Sequence, residues 1–253
     1  MTGEPAIIEV RNVSRTFVAG SLVTEALRCI DLSIGQGEFV SLVGRSGCGK
    51  STLLNLLAGL DAPSSGNITL GGEPVTGPSA RVGFVFQRPV LLSWRTVADN
   101  ILLPVEVGRL PRQPYVEKTE ALLDLVGLNG FARHYPDELS GGMQQRVSLA
   151  RALICDPDIL LMDEPFGALD AITREQMDLE LQRIWQASGK TVVFVTHDIA
   201  EAVFLSDRVI LMTPRPGTIR EVVPLSLPRP RTVETPFLPE FVAAHRRIRQ
   251  QMN

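Results

Sequence analysis

The sequence predicts an α/β fold in which a mostly parallel sheet carries a phosphate-binding loop. Three observations lead there. Gly44–Thr52 reads Gly-Arg-Ser-Gly-Cys-Gly-Lys-Ser-Thr, and Gly44, Gly49, Lys50 and Ser51 fit the pattern G-x-x-x-x-G-K-[ST]. An apolar run, Phe39–Val43, precedes the loop as a buried strand, and Leu53–Ala58 follows it as a helix. From Ile159 to Met212, apolar strands alternate with helical segments, the grammar of a parallel sheet with both faces covered.

Composition narrows the function. The 253 residues are 44% hydrophobic and 21% charged, enough to bury a proper core. A net charge of −3 argues against general affinity for nucleic acid, which needs many phosphate-neutralising cations. Cys29, Cys48 and Cys155 form neither a C-x-x-C pair nor a disulfide framework, so a reducing compartment is expected. Met1–Pro5 lacks a basic segment followed by an apolar one, so no signal peptide is expected. No apolar run approaches the roughly 20 residues that span a bilayer; work at a membrane would need another chain to hold this one there.

In chain order, Ile7–Val13 alternates as a half-buried strand, with Phe17 after it at a turn. Glu25–Ile34 is a second strand, and Gly35–Glu38 a tight turn into the strand before the loop. Asn67–Leu70 and Arg81–Phe86 are further strands, the latter closed by Gln87. Residues 88–142 are helical, broken by Pro104, Pro111, Pro114 and Pro136; Thr96–Val107 and Tyr115–Val126 carry apolar residues at helical spacing. This span is expected to be an inserted helical subdomain. It would interrupt a nucleotide-binding core of residues 1–87 and 143–225, with 226–253 as a C-terminal tail of one domain. A helix runs from Gly141 to about Cys155, followed by the strand Ile159–Met162, the helix Ile172–Ala187, the strand Thr191–Thr196, the helix Ile199–Leu205 and the strand Arg208–Met212. In the tail helix Glu240–Gln251, Arg246, Arg247 and Arg249 read as a solvated face.

The chemistry sits in three stretches. In Gly44–Thr52 the glycines let successive N–H groups turn inward as an anion nest, the following helix adds its positive end, Lys50 reaches the outer phosphates and the Ser51 hydroxyl can ligate Mg²⁺. The plainer reading is a glycine turn between strand and helix. Cys48 reads as a small filler side chain rather than a reactive thiol. In Ile159–Glu164 an apolar strand delivers Asp163 and Glu164 to its carboxyl end, where ligands bind in such sheets. Asp163 can hold Mg²⁺ there and Glu164 can orient or deprotonate an attacking water; otherwise the two acids simply favour a helix N-terminus. In Leu139–Arg146, Ser140 is an N-cap and Gly141 and Gly142 leave amides uncovered at a positive helix end. That is a second anion surface, or an ordinary capped helix.

With these motifs together, the chain resembles the nucleotide-binding subunit of ABC transporters over nearly its whole length. Gly44–Thr52 resembles the Walker A loop, Ile159–Glu164 Walker B with its catalytic glutamate, and Leu139–Arg146 the family signature. Gln87 falls at the Q-loop glutamine, Gly167–Asp170 at the D-loop, and His197 at the switch histidine. Phe17 matches the adenine-stacking position, where the family more often has tyrosine; a phenyl ring still stacks. The resemblance implies a P-loop NTPase core with an N-terminal antiparallel β subdomain and the inserted helical subdomain. It implies ATP contacts from Phe17, from Gly44, Arg45, Ser46, Gly47, Cys48, Gly49, Lys50, Ser51 and Thr52, and from Ser140, Gly141, Gly142 and Gln144. Mg²⁺ would be held by Ser51, Gln87 and Asp163, and catalysis carried by Glu164, His197 and Gln87. A lone histidine after a strand is otherwise usually structural.

The family's subunits pair head to tail with ATP between one chain's phosphate loop and the other's signature. Two anion surfaces in one chain would then be two half-sites, and ATP binding would shift the population toward the pair. A narrower resemblance, in Gln87–Ile101 and in Leu227–Arg231 with Pro239–Phe241, is to the importer branch for nitrate, sulfonates, taurine and related compounds. Ser93 stands where that branch has proline. Leu91, Leu92 and Trp94 read either as packing inside the helical subdomain or as an exposed patch that receives a permease helix. The resemblance implies permease subunits as partners, an extracytoplasmic solute-binding protein as an indirect one, and a peripheral place on the cytoplasmic face of the inner membrane. The alternative is a soluble ABC ATPase serving as an assembly or regulatory module. A metabolic kinase is weaker, because Ser140–Gly142 would have no purpose in it.

Overall fold

The computed structural model describes residues 6–252; Met1–Pro5, where no signal peptide is expected, lie outside the described residues. In chain order the elements are β1 (Ala6–Ala19), β2 (Leu22–Gly35), β3 (Phe39–Val43), α1 (Lys50–Leu57), β4 (Ser65–Leu70), β5 (Glu73–Pro74) and β6 (Val82–Val85). Then come α2 (Val97–Ile101), α3 (Leu103–Val107), α4 (Gln113–Leu125), α5 (Gly141–Leu153), β7 (Ile159–Asp163), α6 (Ala171–Ser188) and β8 (Thr191–Thr196). The chain finishes with α7 (Ile199–Leu205), β9 (Arg208–Met212), β10 (Ile219–Pro224) and α8 (Pro239–Met252). Among the described residues no helix is long and apolar enough to cross a membrane.

The chain divides into two compact units, Met1–Ser79 with Gly189–Asn253, and Ala80–Ser188. The first unit holds an antiparallel sheet in the order β2-β1-β4-β5 and a second set of strands in which β3 lies parallel to both β8 and β9, with β10 antiparallel to β9. Every residue of β3 and β8 is buried, as expected for strands covered on both faces. Helix α7 packs on β3 and α1 on β8. The β2–β3 turn is held by the Glu38 carboxylate, which accepts from Gly35 N–H (2.9 Å) and pairs with Arg208.

Phe17, expected at a turn, lies inside β1, paired with Thr24. The strand continues past Val13 because register shifts between Val10 and Thr16 absorb the left-handed Asn12 (φ 49°) and restore the ladder.

The second unit pairs β6 with β7 in parallel and adds helices α2 to α6. The helical stretch 88–142 lies inside it. Thr96–Val107, where helical spacing and a break at Pro104 are both expected, forms two short helices. Pro104 has no N–H to donate to Asn100 O, and its ring crowds that carbonyl, so the α-helical ladder breaks after Ile101. Asp156, left-handed at φ 56°, and Pro157 end the α5 segment as expected.

The tail returns to the first unit's core. Arg231, 2% exposed, donates to the carbonyls of Val203 (2.8 Å), Phe204 (2.6 Å) and Ser206 (2.6 Å), satisfying the C-terminal end of α7. Burial, then the neighbouring Arg229 charge, pull its pKa down to about 10, so it remains a cation at neutral pH. Arg246, Arg247 and Arg249 are exposed on α8, and Arg247 pairs with Glu221.

Candidate nucleotide site

In the first unit, Val43 of the central strand is level with Thr196 on one side and Leu211 on the other. The chain therefore leaves the three carboxyl ends together, at Gly44, His197 and Met212. A Cβ on Gly44 would lie 2.7 Å from Cys48 Sγ and 3.1 Å from Met212 O, so this position takes only glycine without displacement. Cys48 is 1% exposed and fills the inside of the loop, in keeping with the filler reading. Gly47 (φ 76°) and Gly49 (φ 105°) are left-handed, and a Cβ on Gly49 would meet Leu27 Cδ2 at 2.6 Å.

The loop's polar groups face an anion's needs. Lys50 is 5% exposed, and its Nζ donates to the carbonyls of Gly44 (2.9 Å) and Arg45 (3.4 Å), both of the loop itself. Among the described residues the N–H groups of Ser46, Gly47 and Gly49 have no protein acceptor. A buried ammonium held by neutral carbonyls, beside uncommitted amides and the start of α1, has the chemistry to receive a phosphate. Arg45, Ser46 and Ser51 are exposed at its rim and Thr52 is half-buried.

Two further candidate side chains, His197 and Phe17, lie in this unit. His197 is exposed directly after β8. Its neighbours are anchored: Thr196 Oγ1 accepts from Asp198 N–H (3.0 Å), and the Asp198 carboxylate caps α7 through Ala200 N–H (2.8 Å) and Glu201 N–H (3.2 Å). Phe17 is 40% exposed, with the Arg15 guanidinium 4.5 Å from its ring centre. Asp61 holds Arg15 through two hydrogen bonds of 3.0 and 2.7 Å. The fixed cation lies within cation–π distance of a ring that remains partly exposed.

In the second unit, Val85 is level with Met162, so Gln87 and Glu164 each lie two residues past the last paired rung. A Cβ on Gly167 would sit 3.4 Å from Glu164 O and 3.7 Å from Gln87 Nε2, which places these three residues together. Asp163 is the last residue of β7 and half-buried. Glu164 has a left-handed backbone (φ 44°), a conformation that costs a non-glycine residue about 1–2 kcal/mol and gathers at functional sites. Gly167 N–H closes that turn onto Glu164 O at 3.1 Å.

Ser140 caps α5, its hydroxyl accepting from Met143 N–H at 3.3 Å. Gly142 is buried against Thr173, whose Cγ2 would lie 3.1 Å from an added Cβ, while Gly141 is exposed beside Leu169. The signature start and the Gly167–Asp170 segment thus adjoin. The Thr173 hydroxyl and amide hold the Asp170 carboxyl below the ordinary carboxylate range and fix the start of α6. The Gln144 amide donates to Pro136 O (2.9 Å) and Leu139 O (3.4 Å), an intrachain bracing of the segment leading into Ser140.

Several organising residues escaped the sequence reading. Gln145, buried on α5, donates to Phe86 O (3.2 Å) and so braces the approach to Gln87. Asn100, fully buried, accepts from Leu92 N–H and shares its two amide hydrogens among the carbonyls of Leu92, Arg95 and Thr96. Arg151 donates to Val90 O (2.8 Å) and Pro89 O (2.6 Å), and burial lowers its pKa. Together Asn100 and Arg151 hold the 89–96 loop. Trp94 on that loop is 73% exposed, and Leu91 and Leu92 are half-buried. A polar residue at an inward position of an apolar helix was the available signal for Asn100, as for Arg151.

Comparison with known proteins decides the family. The pattern described as ABC transporter matches residues 27–167, more than half of the chain. This chain belongs to the ABC transporter family. As a member it is an ATP-binding, ATP-hydrolysing subunit. The cassette is 48% identical to an uncharacterized ABC transporter ATP-binding protein of Methanocaldococcus jannaschii, over 88% of this chain and 84% of that one. It is 46% identical to the nitrate import ATP-binding protein NrtD of Synechocystis, over 92% and 90%. It is 43% identical to the aliphatic sulfonates import ATP-binding protein SsuB of Bacillus licheniformis, over 90% and 89%. Its fold matches the dimeric post-hydrolysis structure of the ATP-binding cassette MJ0796 bound to ADP and Pi, with a TM-score of 0.75 and 35% identity, over 86% of this chain and 98% of that one.

Proposed function

We propose that this cassette is the energy-coupling ATPase of an importer for a small oxyanion of the nitrate and sulfonate class, held at the cytoplasmic face of the inner membrane by permease subunits. The observation that carries the proposal is the likeness, above 40% identity over about nine-tenths of each chain, to both a nitrate import and a sulfonate import subunit. An extracytoplasmic binding protein would present the solute to the permease.

In this reading the amides of the loop Gly44–Thr52 and Lys50 bind the phosphates of ATP, and Phe17 stacks on the base. Ser51, Gln87 and Asp163 offer a hydroxyl, a carboxamide oxygen and a carboxylate, all hard oxygen donors of the kind Mg²⁺ takes. Bound there, the metal would offset charge on the phosphate oxygens. Glu164 orients or deprotonates the attacking water, and His197 contacts the γ-phosphate. Gln87 passes the presence of that phosphate to the 89–96 loop it precedes. Ser140, Gly141, Gly142 and Gln144 form the surface offered to ATP held by a second copy, so the working unit is a head-to-tail homodimer. The two anion surfaces of one chain, Gly44–Lys50 and Ser140–Gly142, support this.

Uptake by cells deleted for this chain tests the proposal. Loss of nitrate or alkanesulfonate uptake, restored by the wild-type chain and not by Glu164→Gln, is expected. Unchanged uptake of both classes would overturn the substrate assignment, while leaving ATP hydrolysis by the purified chain to be judged separately.

A further inference from the structure

The turn between β9 and β10, Thr213–Thr218, touches the phosphate loop at two successive peptide groups. Both Nε and Nη2 of Arg215 lie 3.3 Å from Gly47 O and donate to it. The N–H on the other edge of the same peptide, that of Cys48, donates to Arg45 O at 3.2 Å. The plane joining the left-handed Gly47 to Cys48 is therefore held from both sides. At the next peptide, Cys48 O lies so close to Gly217 that a Cβ there would come within 2.0 Å of it.

The turn has the rigidity to act as a strut. Thr213 N–H donates to Thr218 O (3.0 Å), Thr218 N–H donates to Thr213 Oγ1 (2.9 Å), and the two hydroxyls are 2.9 Å apart. It is also tied to β2: Gly217 N–H donates to Ala26 O and Arg28 N–H donates to Gly217 O, both at 2.9 Å. The Arg215 guanidinium is exposed, so its hydrogen bonds to Gly47 add little to global stability. What it does is local. Holding the Gly47 carbonyl fixes the Gly47–Cys48 peptide plane, whose N–H is already engaged with Arg45 O, so the flanking amides of Ser46, Gly47 and Gly49 keep their orientation, and a cation is set beside the loop.

We propose that Arg215 is a positioning residue for the nucleotide, keeping the phosphate loop in its anion-binding form and adding positive potential at its rim. The proposal rests on the assignment of Gly44–Thr52 as the loop that binds ATP phosphates.

Steady-state ATPase kinetics of the full chain test it, with thermal unfolding alongside. Arg215→Ala should raise KM for MgATP about three- to fivefold at low salt, the size of an exposed charge interaction. kcat and Tm should stay at wild-type values. The KM difference should shrink at high salt, and Arg215→Lys should recover part of it, since charge returns without the two-pronged donor. Gly217→Ala should raise KM further, because its methyl group displaces the Cys48 carbonyl. Wild-type KM for Arg215→Ala at low salt overturns the inference, as does a parallel fall of kcat and Tm, the mark of a merely structural residue. Lys50→Ala separates the two levels. If it abolishes MgATP binding while Arg215→Ala has no effect, the loop assignment stands and only the role of Arg215 fails. If Lys50→Ala binds MgATP normally, both fail.

Discussion

Asn100 offers the sharpest test of how the 89–96 loop is held. Its carboxamide is fully buried, accepts from Leu92 N–H at 2.8 Å, and shares its two amide hydrogens among Leu92 O (3.1 Å), Arg95 O (3.1 Å) and Thr96 O (3.0 Å). Asn100→Leu keeps the volume and removes all four. A neutral hydrogen bond contributes about 1 kcal/mol net, and a buried group left unpartnered costs about 1–3 kcal/mol. Water can re-enter from the exposed side of the loop to satisfy some of these groups, so the expected loss is about 3 kcal/mol. At about 2–4 °C per kcal/mol for a chain of this size, Tm should fall by roughly 6–12 °C. Asn100→Asp should be worse, because it sets carboxylate oxygens against three carbonyls. Circular dichroism gives the Tm, and hydrogen exchange at the Leu92 amide reports the loop itself, where protection should collapse. A shift below about 2 °C with Leu92 still protected would falsify the claim that this side chain holds the loop.

Glu164→Gln should bind MgATP normally and lose about 10²–10⁴ in turnover, the usual worth of a positioned general base; near-wild-type hydrolysis would remove Glu164 from that role. The same variant with MgATP should elute as a dimer in size exclusion, and adding Ser140→Arg should return it to monomer, since a large cation would occupy the partner's γ-phosphate position. A double variant that still dimerises on ATP would take the signature out of the interface. Trp94→Ala, at a side chain 73% exposed, should leave Tm and soluble ATPase activity close to wild type while uptake in cells falls, as for loss of an aromatic anchor worth about 2 kcal/mol or more. A drop in Tm would instead place Trp94 in the core, and unchanged uptake would remove it from the permease contact.

Local chemistry made the elements that carry the candidate site legible in the sequence. The phosphate loop is determined by nine consecutive residues, Gly44 to Thr52, whose conformation depends on glycines where a Cβ cannot fit and on the strand and helix at either end. The strand Ile159–Asp163 and the capped helix at Ser140 are likewise short-range statements of hydrophobic pattern and N-cap chemistry. Other features depend on residues far apart in the chain and became visible only in the folded structure. The level alignment of Gly44 with His197 is a register between β3 and β8, which periodicity of either strand leaves open. Phe17 stays in β1 because a partner strand carries its ladder past a bulge, where a local reading sees a turn. Gly217 and Arg215 carry no local signal, yet Arg215 meets Gly47 across 168 positions of chain and Gly217 lies against Cys48. Burial explains the rest: helical spacing turns Asn100 and Arg151 inward, but only packing shows which carbonyls their desolvated groups reach to fix the neighbouring loop.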